Sequence, residues 1–434
     1  MGAVLVCALG FSTFPLWAAP SDDLKTLVEQ GKFAEAYAAA EKQPEHIGDP
    51  AFDFFYGIAS IETGHAGEGV LALERYLLNF PDNVNARLQL ARGYFVLGED
   101  ARAREEFEAL RRLKPPSDIA ATIDRFLDAI RLRETRYNPS AGGYMELGAG
   151  NDSNINSGVA NSNIFLGNLG PVVISTTGQK LNSSFSSVGG GAYFSYPVAP
   201  GVALFANGAG EQKFYFARDS SQYQLGNFDV AGGVSVLKEK NLYKASIAGG
   251  LITLGARAYR TTTGIGLEWR HQLDERQSLV VGAQYADLRY NDPNGPMNAT
   301  LWGVNAGYRR QFSYRWEPAI SLGANYAEQH STQGRPDLVP RTQGVNANVS
   351  FTPAAKWGVA VGYTYVQSDY QGINFLAGVA RKDTYQAFNG VVSYLINRNL
   401  SVRAEATLAH NSSNIDLYAF PRDLYMVKLR YEFK

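Results

Sequence analysis

Five histidines, His46, His65, His271, His330 and His410, are the residues most able to bind metal or move protons, and they are scattered along the chain with no metal-ligand spacing. They read as surface or loop histidines. No Gly-x-Ser-x-Gly elbow and no phosphate-cradling Gly-Lys-Ser/Thr loop occurs. The run Gly148, Ala149, Gly150, Asn151, Asp152, Ser153, Asn154, Ile155, Asn156 offers carboxylate and amide oxygens that could take calcium. It lacks the glycine and terminal glutamate of an EF-hand loop, so the alternative is an Asx-rich strand-to-loop transition. The remaining chemical groups are charges that alternate with apolar residues: Glu268, Arg270, Arg403, Glu405, Lys428 and Arg430. Such charges line a conduit or the interior of any wet or plugged barrel. No enzyme activity, cofactor or metal is expected.

The elements that carry these charges are strands. At the C-terminus Tyr425, Val427, Leu429, Tyr431 and Phe433 fall on one face, and Lys428, Arg430 and Glu432 on the other. One face suits hydrocarbon and the other suits water. A closing strand of this kind is what an outer-membrane barrel requires, and its aromatic end is expected to act as the barrel-insertion signal. Trp357, Val359, Val361, Tyr363 and Tyr365 repeat the pattern, as do Leu400, Val402, Ala404, Ala406 and Leu408, and Ile265, Leu267 and Trp269. Strands with charge on every alternate face cannot pack both faces in a dry core.

Composition agrees. The 434 residues include 44 glycines, 12% aromatic residues and a net charge of −1, which shows no nucleic-acid footprint. No apolar run of helical-span length follows position 20. Residues 1–18 read as a signal peptide cut after Ala18, although its basic n-region is missing, which predicts a translation start some codons upstream. Cys7 is the single cysteine, so the mature chain is expected to hold itself together without disulfides.

Residues 19–137 have helical spacing and an internal repeat. Tyr56, Gly57, Gly64, Leu73 and Pro81 align with Leu90, Ala91, Gly98, Phe107 and Pro115 at an offset of about 34 residues, the tetratricopeptide period. Tyr94 and Ala103 take further consensus positions, and Gly31 and Ala36 begin a partial earlier copy. The small residues let paired helices approach, and proline ends the second helix. Ser117 to Arg136 reads as a last helix that caps the stack, broken at Tyr137, Asn138 and Pro139.

From 141 to 434 short and long connections alternate. Short turns are expected at 197–201, 238–241, 274–276, 313–315, 353–356 and 397–399, and long loops at 151–182, 217–222, 256–262, 291–298, 329–342, 369–382 and 410–423. Together they join about fourteen strands of roughly 9 to 11 residues or somewhat more. Short turns face the periplasm in such barrels, which would put the helical repeats there too. The expected fold is α+β in two domains, helical tetratricopeptide repeats followed by an antiparallel transmembrane β-barrel.

A signal peptide, a short repeat domain and a barrel whose first strand runs from Gly143 and Tyr144 to Asn151-Asp152-Ser153-Asn154-Ile155-Asn156 resembles the surface lipoprotein assembly modulator family, Slam. The resemblance implies a Gram-negative outer-membrane protein that passes lipoproteins or related secreted proteins to the cell surface. Its partners would be that cargo, outer-membrane lipid and the barrel-assembly machinery, with no nucleic acid, and the protein would be a monomer. The helical domain would capture cargo, and fusion to a barrel would raise its concentration at the pore entrance. Cargo could pass through the lumen or through a seam between the first and last strands, where Tyr144, Gly148 and Gly150 are the candidate seam residues because glycine weakens strand packing. The alternatives are an exopolysaccharide export porin with a periplasmic repeat domain, or a plain porin.

Overall fold

A computed structural model describes residues 20–134, 138–218 and 220–433. The expected signal peptide, Cys7, Arg136 and Tyr137 lie outside them. By its contacts the chain divides into two compact units, one ending at Pro115 and one running from Pro116 to Lys434.

The first unit holds α1 (Pro20–Glu29), α2 (Phe33–Ala40), α3 (Pro50–Glu62), α4 (Ala66–Asn79), α5 (Val84–Leu97) and α6 (Asp100–Arg112). Helices α5 and α6 start 34 residues after α3 and α4, so the sequence offset is an offset between helix hairpins. The starts are capped alike: Asp49 accepts from the Ala51 amide at 3.1 Å, and Asn83 from the Ala86 amide at 3.0 Å. Gly64 and Gly98 turn each hairpin with φ of +94° and +79°, which a side chain would strain. Gly57 serves packing instead, because a Cβ there would stand 2.7 Å from Leu73 Cγ. Ala91, Tyr94, Ala103 and Phe107 are buried in the second hairpin, and Pro81 and Pro115 follow the ends of α4 and α6.

The second unit begins with α7 (Ser117–Glu134). Where the sequence expected this helix to cap the repeats, the contacts group it with the barrel. Its charged face accounts for that, since Asp128 accepts from Arg398 at 3.3 Å and Arg125 lies 3.7 Å from Glu317, both partners being in barrel turns.

The strands are β1 (Ser140–Asp152), β2 (Asn163–Leu166), β3 (Gly170–Val173), β4 (Ser183–Ala199), β5 (Val202–Tyr215), β6 (Leu225–Lys238), β7 (Asn241–Leu254), β8 (Arg257–Asp274), β9 (Gln277–Tyr290), β10 (Ala299–Gln311), β11 (Ala319–Ser331), β12 (Pro340–Ala354), β13 (Trp357–Ile373), β14 (Ala380–Leu395), β15 (Leu400–Ser413) and β16 (Phe420–Phe433). All but β2 and β3 form one closed antiparallel barrel of fourteen strands in sequence order, with β1 sealed against β16. Closure leaves no unpaired edge, which is the condition for crossing hydrocarbon with strands. No described helix is long and apolar enough to cross a membrane.

The barrel strands run 13 to 18 residues, at and beyond the longer side of the expected 9 to 11 or somewhat more. Alternation persists past the apolar zone: on the outer face of β13, Val361, Tyr363 and Tyr365 give way to Gln367 and Asp369 before the strand ends. The ladder therefore continues into water, and the distal loops shrink accordingly. One of them disappears. Residues 256–262 were expected as a loop, but Gly255 and Ala256 alone join β7 to β8, both at positive φ, as a two-residue hairpin turn requires. The β-branched Thr261, Thr262 and Thr263 that follow belong to β8. Conversely, the expected tight turn at 313–315 is the seven-residue connection 312–318.

The outer surface carries Phe194, Tyr243, Ile265, Leu267, Trp269, Val304, Trp302, Val345, Trp357, Phe388, Tyr425, Val427, Leu429, Tyr431 and Phe433, all exposed. A contiguous apolar outer wall of that extent has only lipid as a plausible solvent.

Candidate functional site: the lumen and the closing seam

Alternation sends the other half of each strand inward, and around the seam that half is charged. Glu146 on β1 accepts from Arg430 at 2.9 Å and from Arg403 at 3.4 Å, and Lys428 approaches it at 3.6 Å. Arg403 also pairs with Glu405 at 3.1 Å, and Arg430 with Glu432 at 3.1 Å while its guanidinium covers the Tyr144 ring at 3.6 Å. Lys428 reaches across β1 and β4 to Glu211 on β5, 3.0 Å away. Four of the six charges expected in the lumen thus meet in one network. Glu268 and Arg270, 3.3 Å apart, form a separate pair with Lys244 beside them.

The network explains the glycines of β1. Gly148 leaves the path of the Lys428 stem open, since a Cβ there would stand 2.5 Å from Ser187 Oγ and 3.3 Å from Lys428 Cγ. At Gly150 a Cβ would run into the Tyr425 carbonyl. These residues permit close approach and long side-chain reach rather than loosening the wall. The β1–β16 register covers ten residues, Gly143 opposite Phe433 through Asp152 opposite Leu424, and among the described barrel pairings only the β11–β12 register is as short.

At the distal end the seam is locked by the Asx run. Asp152 is fully buried and takes a bidentate bond from Arg422 on β16, at 3.0 and 2.6 Å, with the Tyr215 hydroxyl at 3.2 Å. Asn154, also fully buried, donates to the carbonyls of Gly158 and Pro421, and Asn156 donates to that of Gln179. Their oxygens are thereby committed to protein donors, among them the Gly158 and Leu181 amides, which is the Asx-turn reading rather than the calcium one. Beyond them β2 and β3 fold over, and Ile164 and Leu166 bury against Ala377 and Ile415 of two later loops. Sequence reading missed Glu146, Glu211, Asp152 and Arg422 as partners. Alternation within β1 could have singled out Glu146, but nothing in the sequence pairs residues some 270 positions apart.

At the opposite end α7 lies against the short turns. With the turns of β12–β13 and β14–β15 it lines a cavity of about 250 Å³ that includes Ala121, Asp124, Lys356, Leu395 and Asn397. The first unit has a polar cluster of its own. Tyr56 and Tyr37 both donate to Glu68 Oε2, at 2.8 and 2.9 Å, and Tyr37 stacks on His65 at 4.1 Å. Burial, then the Glu68 bond, pushes the Tyr56 phenol up to about 12, and the two phenol donors hold the Glu68 carboxyl below its ordinary 4.5. A group with a depressed folded pKa stabilises above its unfolded value and loses that contribution as pH falls through the folded one. Residues 20–115 alone are therefore expected to melt as a helical unit without α7, and to lose stability below about pH 4.5. Circular dichroism melts against pH check both, with Glu68→Gln flattening the acid limb; a fragment that is helical only when α7 is included would refute the unit boundary.

The fold and its two surfaces define an outer-membrane β-barrel preceded by a helical unit. The chain is 25% identical over 280 residues to surface lipoprotein assembly modifier 1 of Haemophilus influenzae, covering 58% of this chain and 54% of that protein. Helical unit, fourteen-strand barrel and this match together fit a Slam-like protein. It spans about half the length of the curated relative it matches. No family model matches. Among solved structures, an outer membrane channel of Pseudomonas putida F1 aligns with TM-score 0.34 and 11% identity over 67% of this chain and 95% of its own. The Ralstonia pickettii toluene transporter TbuX aligns with TM-score 0.35 and 12% identity over 69% and 93%.

Proposed function

We propose that this protein is an outer-membrane translocon that delivers lipoproteins or related secreted proteins to the cell surface, with its helical unit capturing them in the periplasm. The observation that carries the reading is the 280-residue similarity to a surface lipoprotein assembly modifier, on a chain that joins helix hairpins to a closed barrel. Topology supports the orientation. Both barrel ends, Ser140 of β1 and Phe433 of β16, lie on the short-turn side, and in outer-membrane barrels that side is periplasmic. The segment from α7 into β1 therefore enters from the periplasm, and the preceding hairpins with it. Stacked helix hairpins of tetratricopeptide type present a concave face suited to extended segments of other proteins, and tethering one beside a pore raises the local concentration of whatever it holds. The chain catalyses no reaction in this reading, and it works as a monomer inserted by the barrel-assembly machinery.

Deletion of the gene followed by surface labelling of acylated proteins tests the reading. At least one surface lipoprotein is expected to remain in the periplasm and to return on complementation. An unchanged surface set with lost capsular or secreted polysaccharide would point to the polysaccharide porin instead, and unchanged surface chemistry of both kinds to a plain porin.

A further inference from the structure

The lumen is lopsided. Most of its charges sit on the wall from β15 through β1 to β8, whereas the facing wall, β9 to β13, carries asparagine and glycine at mid-height, with Arg309 nearer the short turns. Outward Val304, Leu322, Val345 and Val361 set the parity, so Asn305 on β10, Asn325 on β11, and Asn346 and Asn348 on β12 point inward. Asn305 and Asn325 are direct cross-strand partners. Each amide reaches over a glycine of an adjacent strand: a Cβ on Gly282 would stand 2.5 Å from Asn305 Oδ1, one on Gly344 2.7 Å from Asn325 Oδ1, and one on Gly362 3.1 Å from Asn348 Nδ2. Gly323 is covered by Asn346 in the same way. Asn305, Asn325 and Asn346 are exposed to the lumen. Water or a passing molecule can therefore reach all three.

An amide offers a donor and an acceptor without charge. The backbone of an extended chain offers the same two groups, and inside a barrel it has lost the secondary structure that would satisfy them. Weak neutral bonds, about 0.5 to 1.5 kcal/mol net each, hold such a chain without trapping it. A carbohydrate is favoured less, because sugar faces stack on aromatic rings and the inward positions of β10 to β13 between Leu301 and Val366 have none. The charges beside the seam are committed to one another by the network around Glu146 and Lys428.

We propose that this asparagine-glycine wall is the contact surface for an unfolded, uncharged stretch of polypeptide passing through the lumen. The inference rests on the translocon reading and names its route as the lumen rather than the seam. The full chain is reconstituted in planar bilayers and probed with an uncharged Gly/Ser/Asn peptide long enough to span the barrel, and separately with maltoheptaose. The peptide is expected to block the current, with dwell times about tenfold shorter in the folded N305A/N325A/N346A variant, as the loss of three weak bonds dictates. Maltoheptaose should block only briefly and equally in both proteins. Peptide dwell times unchanged by the variant, a folded barrel that passes no current, or a variant effect confined to maltoheptaose would each overturn the proposal. The deletion test reads surface display and this one reads current, so either can fail alone.

Discussion

Phe433→Asp is expected to abolish accumulation of the folded barrel in cells. Phe433 is half exposed on the lipid face, pairs with Gly143 across the seam, and meets the Tyr431 ring edge-on at 5.0 Å. It stands at the short-turn end, near the interface, where a charged residue on the lipid face costs only about 0 to 1 kcal/mol. That is too little to unfold a fourteen-strand ladder. A complete loss would therefore report failed recognition of the last strand by the insertion machinery rather than lost stability. Two measurements separate these: heat-modifiable migration of the protein made in cells, and refolding of the purified variant from denaturant into detergent. The expected outcome is no folded band from cells with normal refolding in detergent, and Phe433→Tyr behaving as wild type. Normal folded levels of Phe433→Asp in the outer membrane would remove the insertion-signal role of Tyr425, Val427, Leu429, Tyr431 and Phe433.

The second large effect is expected at the distal lock. Asp152→Ala leaves the Arg422 guanidinium, three-quarters covered, facing Tyr215 with no counter-ion, and it frees the Asn154 amide that bonds Asp152 at 3.1 Å. Removing one partner of a buried pair typically costs about 3 to 5 kcal/mol, because the remaining charge stays desolvated. The barrel should remain closed, since the ten-residue β1–β16 ladder persists, but its heat-modification midpoint should fall. Amide exchange should rise over the distal halves of β1 and β16 and leave β10 and β11 unchanged. Arg422→Met on the same background should recover part of the loss by removing the orphaned charge. A midpoint equal to wild type in Asp152→Ala would show that the lock is solvated and contributes nothing.

Much of this protein is legible as pattern. A period of two in Tyr425 to Phe433, with charges on the alternate positions, specifies strand, inward face and outward face at once, because side-chain direction in a strand depends on parity alone. The 34-residue offset between Gly57 and Ala91 is likewise visible because each hairpin solves the same local packing problem. Boundaries were harder. The expected loop at 256–262 became strand because Gly255 and Ala256 suffice to turn the chain, and the helix at 117–134 joined the barrel because its charges find partners in Glu317 and Arg398, far along the chain.

By itself the sequence determined the two periods, the alternation that separates lipid from lumen, and the closing aromatic strand, all of which depend on residues within a few positions of one another. Only the tertiary structure decided that Asp152 belongs with Arg422, that Lys428 reaches Glu211, and that four asparagines lie over glycines of neighbouring strands. Those pairings follow from the register and closure of the barrel, which bring together residues remote in the chain, and no local spacing encodes them.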